Sequence, residues 1–219
     1  LSAGTSLHEP FAAVFAICKG LADFFRPAGV FLQGAGDLIF REVEDPDLIA
    51  KARRGKVEAY NLLVSRWEKR VFNYLLKLVG DREDALDLSQ EVFLKAYQNL
   101  PKLEDPARFS PWLFRIAHNE AYSQLRRRRP EESFEISAVE AETAPRLPSI
   151  ELTLAVGAAL RQLSEEQREA VVLKIYQGFK FEEIAEILSC PVSTVKSRVY
   201  SALDVLKRIL APIDTRGVE

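Results

Sequence analysis

Methionine is absent from this sequence, and cysteine and histidine occur twice each. Cys18 and Cys190 are far apart and form no CxxC pair, which argues against a disulfide framework or a zinc site and fits a reducing cytoplasm. Cys190 reads as a small buried residue of a helical turn rather than a redox switch. His8 and His118 are too few for a histidine-based metal site or a proton relay. No P-loop, GxSxG, HExxH or GxGxxG pattern occurs. The carboxylates fall at pairing distances along helix faces, so no catalytic residue, cofactor, metal or small-molecule substrate is expected.

Long hydrophobic runs are missing too. In the apolar stretch at 11–40 the longest uninterrupted run is Phe11 to Cys18, far short of the ~20 residues that span a bilayer. Lys19, Asp23, Arg26 and Pro27 interrupt the chain beyond that run and no basic leader precedes it, so neither a membrane span nor a signal peptide is expected. Phe15, Leu21, Ala22 and Phe25 could line a short amphipathic helix. Leu1 does not look like an ordinary translation start. One reading takes this segment as upstream read-through, with the natural start near Val43, where a GTG codon would initiate, and the part residues 1–44 play in the main function is left open.

A strong global charge is also lacking. The formal net charge is −2, so no overall attraction to nucleic acid or an anionic membrane is predicted. The charge is segregated, however. From Arg108 to Arg129 six arginines face one acid, Glu120, whereas from Asp81 to Glu91 five acids face Arg82. Two surfaces with two different partners are implied.

What is present is helical periodicity. Residues 45–129 read as a compact helical domain. Asp47 is placed to cap a helix through Arg53, and Gly55 ends it. A long helix then repeats Tyr60, Leu63, Trp67, Val71, Tyr74 and Leu78 at steps of three and four before Gly80 stops it. A third helix is expected over 83–100, with Leu88, Val92, Phe93, Ala96 and Tyr97 in its core stripe. After a loop at 102–110, Ser110 and Pro111 are placed to open a fourth helix that runs to about Arg128. Residues 130–149, rich in proline and glutamate, read as a flexible acidic linker. A second helical domain follows at 150–211, with helices near 150–162, 165–177, 181–188 and 194–210, and a tail at 212–219. Ser164 and Gln167 form a capping box at the second of these. The fold class is therefore all-α, two small helical domains in series.

Residues 181–200, FEEIAEILSCPVSTVKSRVY, read as a helix-turn-helix. The first helix offers Phe181, Ile184, Ala185 and Leu188 to a core; Ser189, Cys190 and Pro191 interrupt it. Ser193 or Thr194 is placed to cap the second helix, which buries Val195, Val199, Leu203, Leu206 and Leu210. Its other side shows Lys196, Ser197, Tyr200, Ser201 and Arg208, a polar and cationic surface that, with Ser193, Thr194 and Arg198, suits a DNA major groove. An ordinary helical hairpin is the plainer alternative.

Two further faces stand out. Asp87, Gln90, Glu91, Leu94 and Gln98 make an acidic, amide-bearing face around one leucine, suited to a basic partner helix, or simply to water. On the fourth helix, Leu113, Ile116, Ala117, Ala121 and Leu125 face the core, while Trp112, Arg115, Asn119, Tyr122 and Arg126 form a second stripe. Aromatic rings interleaved with arginine and asparagine suit nucleic acid with exposed bases, and the arginines at 126–129 add phosphate affinity. Trp112 as core and the arginines as a soluble helix end remain the alternative.

Three motifs in order, DLSQEVFLKAYQNL at 87–100, WLFRIAHN at 112–119 and GFKFEEIAEILSCPVSTVKSRVYSAL at 178–203, resemble those of the extracytoplasmic-function (ECF) group of bacterial sigma factors. The resemblance covers about 45–211. It implies that 87–100 docks on core RNA polymerase and that Arg108, Phe109, Trp112, Arg115, Asn119, Tyr122 and Arg126 engage the opened −10 promoter element. The loop at 102–110 would capture a flipped base, and the helix-turn-helix would read the −35 element. It also implies promoter DNA and an anti-sigma protein as partners, with the membrane reached only through the latter. Ser201 and Tyr122 stand where relatives often carry other residues, basic or polar, and bear on which promoter sequence is read. Two rival readings are a stand-alone helix-turn-helix regulator with an N-terminal sensing domain and an adaptor anchored through residues 11–40.

Overall fold

A computed structural model of the chain describes residues 43–128 and 150–214. Among these, every regular element is helical, in two compact units. The expectations for residues 1–42, for the linker at 130–149 and for the last five residues fall outside the described residues.

The first unit is built from α1 (Asp45–Arg53), α2 (Val57–Val79), α3 (Arg82–Asn99) and α4 (Phe109–Arg128). α2 packs against the other three and α3 also against α4. The whole stripe from Tyr60 to Leu78 is buried, and Gly80 closes α2 at φ +78° with its N–H on the Leu76 carbonyl. That left-handed conformation is nearly cost-free only without a Cβ.

Four details of the sequence reading change in this unit. Asp47 does not cap α1: Pro46, which needs no N–H partner in a first turn, lets the helix begin at Asp45. Asp47 therefore sits inside the first turn, its N–H donating to the Glu44 carbonyl at 3.1 Å. A 3-10 turn, Leu100–Lys102, ends α3, and the loop at 102–110 contains a second, Pro106–Arg108. Arg53 Nε donates to the Leu100 carbonyl at 3.1 Å, and the Asp105 carboxylate accepts the Ala107 N–H at 2.9 Å. The second turn leads into α4 at Phe109. Ser110 and Pro111 accordingly lie in the first turn of α4 and do not precede it. Tyr97, expected in the core, is 42 % exposed, because Tyr60 of α2 lies beneath it with ring centroids 4.9 Å apart and reaches the Phe93 carbonyl through its hydroxyl.

The second unit centres on α8 (Val192–Asp214), packed by α5 (Ile150–Arg161) and α6 (Glu165–Val171), with α7 (Phe181–Ile187) preceding it in the chain. The capping box is formed, with Ser164 Oγ accepting the Gln167 N–H and Gln167 Oε1 accepting the Ser164 N–H. The single helix expected over 165–177 instead widens into a π-turn at Val172–Tyr176, where the Gln177 N–H reaches five residues back to the Val172 carbonyl. Ser189 makes the break after α7 by adopting φ +52°, which lets the Cys190 N–H bond the Ala185 carbonyl at 3.0 Å. The Pro191 carbonyl then accepts the N–H groups of Thr194 and Val195 at 2.9 and 3.1 Å. α8 therefore opens at Val192, and Ser193 and Thr194 lie within its first turn instead of capping it.

Candidate nucleic-acid interface

The stripe on α4 is where a nucleic-acid surface is tested. Leu113, Ala117 and Ala121 are buried, which turns Arg115, Asn119 and Arg126 to solvent and leaves Trp112 and Tyr122 half-buried. The indole of Trp112 lies 5.9 Å from the Phe109 ring, and Phe109 lies 6.1 Å from Trp67. Further along, Tyr122 stacks on His118 at 4.6 Å, and Arg126 Nε donates to the Tyr122 carbonyl at 3.3 Å. Phe109, expected among the DNA contacts, is only 2 % exposed. The 3-10 turn before α4 aims its ring into the bundle, where it supports Trp112 from below. Arg108 is exposed.

The row Trp112–Phe109–Trp67 leads to an open cavity of about 350 Å³ between the start of α1, α2 and the second 3-10 turn. Its walls include Asp45, Arg66, Trp67, Pro106, Ala107 and Ser110. The Asp45 carboxylate accepts from Trp67 Nε1 at 3.0 Å and pairs with Arg66. Arg70 stands over the Trp67 ring at 4.6 Å. The chamber combines an aromatic wall with polar edges, the chemistry a nucleobase requires. Arg66, Trp67 and Asp45 line a cavity that the sequence reading missed, because only the packing of α1 on α2 brings them together.

On α3, Asp87, Gln90 and Gln98 are exposed and Glu91 is half-buried. Leu94 is 52 % exposed and Leu86 43 %. With Tyr97 the face thus carries three outward apolar groups, where one was foreseen. Leu86, Gln90, Leu94 and Tyr97 follow the same steps of three and four, a signal legible in the sequence. Lys95 pairs with Glu91 at 3.3 Å and with Glu120 of α4 at 2.6 Å. The hydrogen bond to Glu120 is the main reason the Lys95 ammonium holds its proton above the ordinary lysine range.

On α8, Ser193, Lys196, Ser197, Tyr200 and Ser201 are exposed, and Thr194 and Arg198 are half-buried. Val195, Val199 and Leu203 face inward. Two of the outward groups have internal partners: Ser197 Oγ bonds the Thr194 carbonyl at 3.0 Å, and Ser201 Oγ accepts from Gln167 Nε2 at 2.7 Å. Arg198 lies 3.9 Å from Cys190 Sγ. Among the described residues no cluster of His, Cys, Asp or Glu could hold a metal ion, and no helix is long and apolar enough to cross a membrane.

The sequence profile of sigma-70 region 2 matches residues 63–131, and that of sigma-70 region 4 matches 153–206. The RNA polymerase sigma-H factor of Pseudomonas aeruginosa is 32 % identical over 185 residues, covering 78 % of this chain and 95 % of that protein. The chain belongs to the sigma-70 family of RNA polymerase sigma factors, ECF group. The ECF sigma-E factor of Escherichia coli K12 is 33 % identical over 190 residues, covering 80 % of this sigma factor and 98 % of its own length. Among solved structures, the sigma factor RpoE of Bartonella quintana, in complex with the anti-sigma factor NepR, superposes with a TM-score of 0.62 at 28 % identity over 69 % of this chain and 96 % of its own. CnrH, in complex with the cytosolic domain of CnrY, does so with a TM-score of 0.60 at 28 % identity over 77 % of this chain and 97 % of its own. This sigma factor thus acts in promoter-directed transcription initiation, on an all-α fold with a helix-turn-helix near its C-terminal end.

Proposed function

We propose a division of labour among three surfaces. Asp87, Gln90, Glu91, Leu94 and Gln98, extended by Leu86 and Tyr97, dock on core RNA polymerase. Trp112, Arg115, Asn119, Tyr122 and Arg126, with Arg108, hold the opened −10 strand, and the cavity beside Trp67 receives an unstacked base. Ser193, Thr194, Lys196, Ser197, Arg198, Tyr200 and Ser201 contact −35 duplex. The factor works without catalysis of its own, in the cytoplasm. An anti-sigma protein binds it, as NepR and CnrY bind the structural relatives, and through that protein alone it meets the membrane.

One observation carries the −10 assignment. Arg115 and Asn119 reach solvent one and two turns beyond Trp112 on one face of α4, and an aromatic row joins that face to a cavity with polar edges. Guanidinium for phosphate, ring for base face and amide for base edge are the three contacts a separated strand demands. A stand-alone repressor has no use for them.

Transcription in vitro by core polymerase plus this protein on fragmented genomic DNA, with sequencing of the 5′ ends, tests the reading. The expected result is a discrete set of start sites sharing −35 and −10 elements. Transcripts identical to those of core enzyme alone would overturn it.

A further inference from the structure

Phe181 looks like core in the sequence, yet it is half-buried at the start of α7, and its ring is surrounded by polar chain ends. Lys174 Nζ, from the π-turn, lies 4.6 Å from the ring centroid, and Lys196 Nζ, from α8, lies 5.7 Å away. The Tyr200 ring, one turn further along α8, is 6.4 Å distant at a tilt of 40°. Lys174 also donates to the Phe179 carbonyl at 3.1 Å. The π-turn matters here, because the extra residue in its widened ring changes where Lys174 falls relative to α7.

Both ammonium groups lie within cation–π reach of the one ring, and its electron-rich surface attracts each of them. A lysine free in solvent must also surrender most of its rotamer freedom to grip a phosphate, and a lysine already seated on an aromatic ring has surrendered part of it beforehand.

We infer that Phe181 is a positioning residue for promoter binding: its ring seats Lys196 and Lys174 as a pair of phosphate contacts beside the recognition helix and fixes Tyr200 next to them. The inference rests on the reading of α8 as the −35 reader. Phe181 itself touches no base. Its contribution is to present two cations and one phenol in a single arrangement before DNA arrives.

The test uses holoenzyme and a short duplex bearing a −35 element from the mapped start sites, with dissociation constants measured across a range of KCl concentrations. Phe181→Leu keeps an apolar group of similar size and removes the ring. It is expected to weaken binding about three- to tenfold, the range of one cation–π contact, and to flatten the salt slope by about 0.9 for each phosphate no longer neutralised. Phe181→Trp restores both. Lys196→Ala weakens binding likewise, and adding Phe181→Leu to it costs less than Phe181→Leu costs alone.

Weaker binding by Phe181→Leu with an unchanged salt slope would show a merely structural role and overturn the inference. So would wild-type binding by Phe181→Leu alongside weakened binding by Lys196→Ala, which leaves the −35 reading standing. If Lys196→Ala, Arg198→Ala and Phe181→Leu all bind as wild type does, the −35 reading itself falls, and the inference with it.

Discussion

Lys95 Nζ lies 2.6 Å from Glu120 Oε2 and 3.3 Å from Glu91 Oε1, so one ammonium ties the acidic face of α3 to the helix that carries Arg115 and Asn119. The Lys95 pKa is raised, first by the hydrogen bond to Glu120. By linkage, the stabilisation is fully present below the ordinary lysine value and is lost as pH climbs through the raised one. The Lys95 side chain is 38 % exposed, and solvent screening keeps the effect small. Lys95→Met is expected to lower stability by about 0.5 kcal/mol at neutral pH, less at high salt. Urea unfolding at two ionic strengths measures it. An unchanged deficit in concentrated salt would rule out the charge pair as its source.

Charge reversal on the docking face separates binding from folding. Asp87→Lys combined with Glu91→Lys is expected to weaken association with core polymerase about a hundredfold or more, since like charges then face the partner. Binding of a −35 duplex by the same variant stays as in wild type. Equal loss of both would mean that the substitutions act through the fold.

On α4, Arg115→Ala is expected to weaken binding of the −10 non-template single strand several-fold and to flatten its salt slope by about 0.7, the value for one phosphate contact on a single strand. Fluorescence anisotropy of a labelled oligonucleotide with holoenzyme reads both quantities. Affinity for −35 duplex serves as the internal control.

The turn between α7 and α8 holds a residue in an unfavoured conformation. Ser189 sits at φ +52°, which for a residue with a Cβ costs roughly 1–2 kcal/mol. Ser189→Gly removes that cost while adding backbone freedom to the unfolded chain, so a net gain of about 0.5 kcal/mol is expected. Ser189→Val loses more than about 1 kcal/mol. Thermal melts rank the three, and a glycine variant less stable than wild type would contradict the argument.

Lys77 provides a second pH dependence, of opposite sense. Burial pushes its pKa down to about 8 from 10.5, so between those values the unfolded chain holds more protons than the folded one. Stability from this group therefore rises as pH climbs from about 8 towards 10.5 and is at its lowest below that window. Lys77→Met is expected to flatten that rise in stability between about pH 8 and 10.5. Thermal melts of wild type and variant across the window measure it.

Periodicity alone determined that the chain forms helices and which side of most of them turns inward. The stripe from Tyr60 to Leu78 and the stripe from Val195 to Leu210 are buried as their spacing requires. Local hydrogen-bonding chemistry sufficed for Gly80 and for the Ser164–Gln167 box, since both motifs are complete within a few residues. The outward arginine, asparagine and lysine positions on α4 and α8 were legible for the same reason: charge resists burial wherever the spacing leaves an alternative.

Tertiary structure decided the aromatics. Phe109 and Tyr97 exchanged their expected places because a ring goes wherever the neighbouring helix leaves room, and sequence spacing carries no record of the neighbour. Tyr60 fills the space beneath Tyr97 and holds it outward, while the 3-10 turn at Pro106–Arg108 swings Phe109 in. The cavity beside Trp67 and the cations around Phe181 have the same origin. Each is assembled from separate helices and turns, so only the packing that joins those elements could create it.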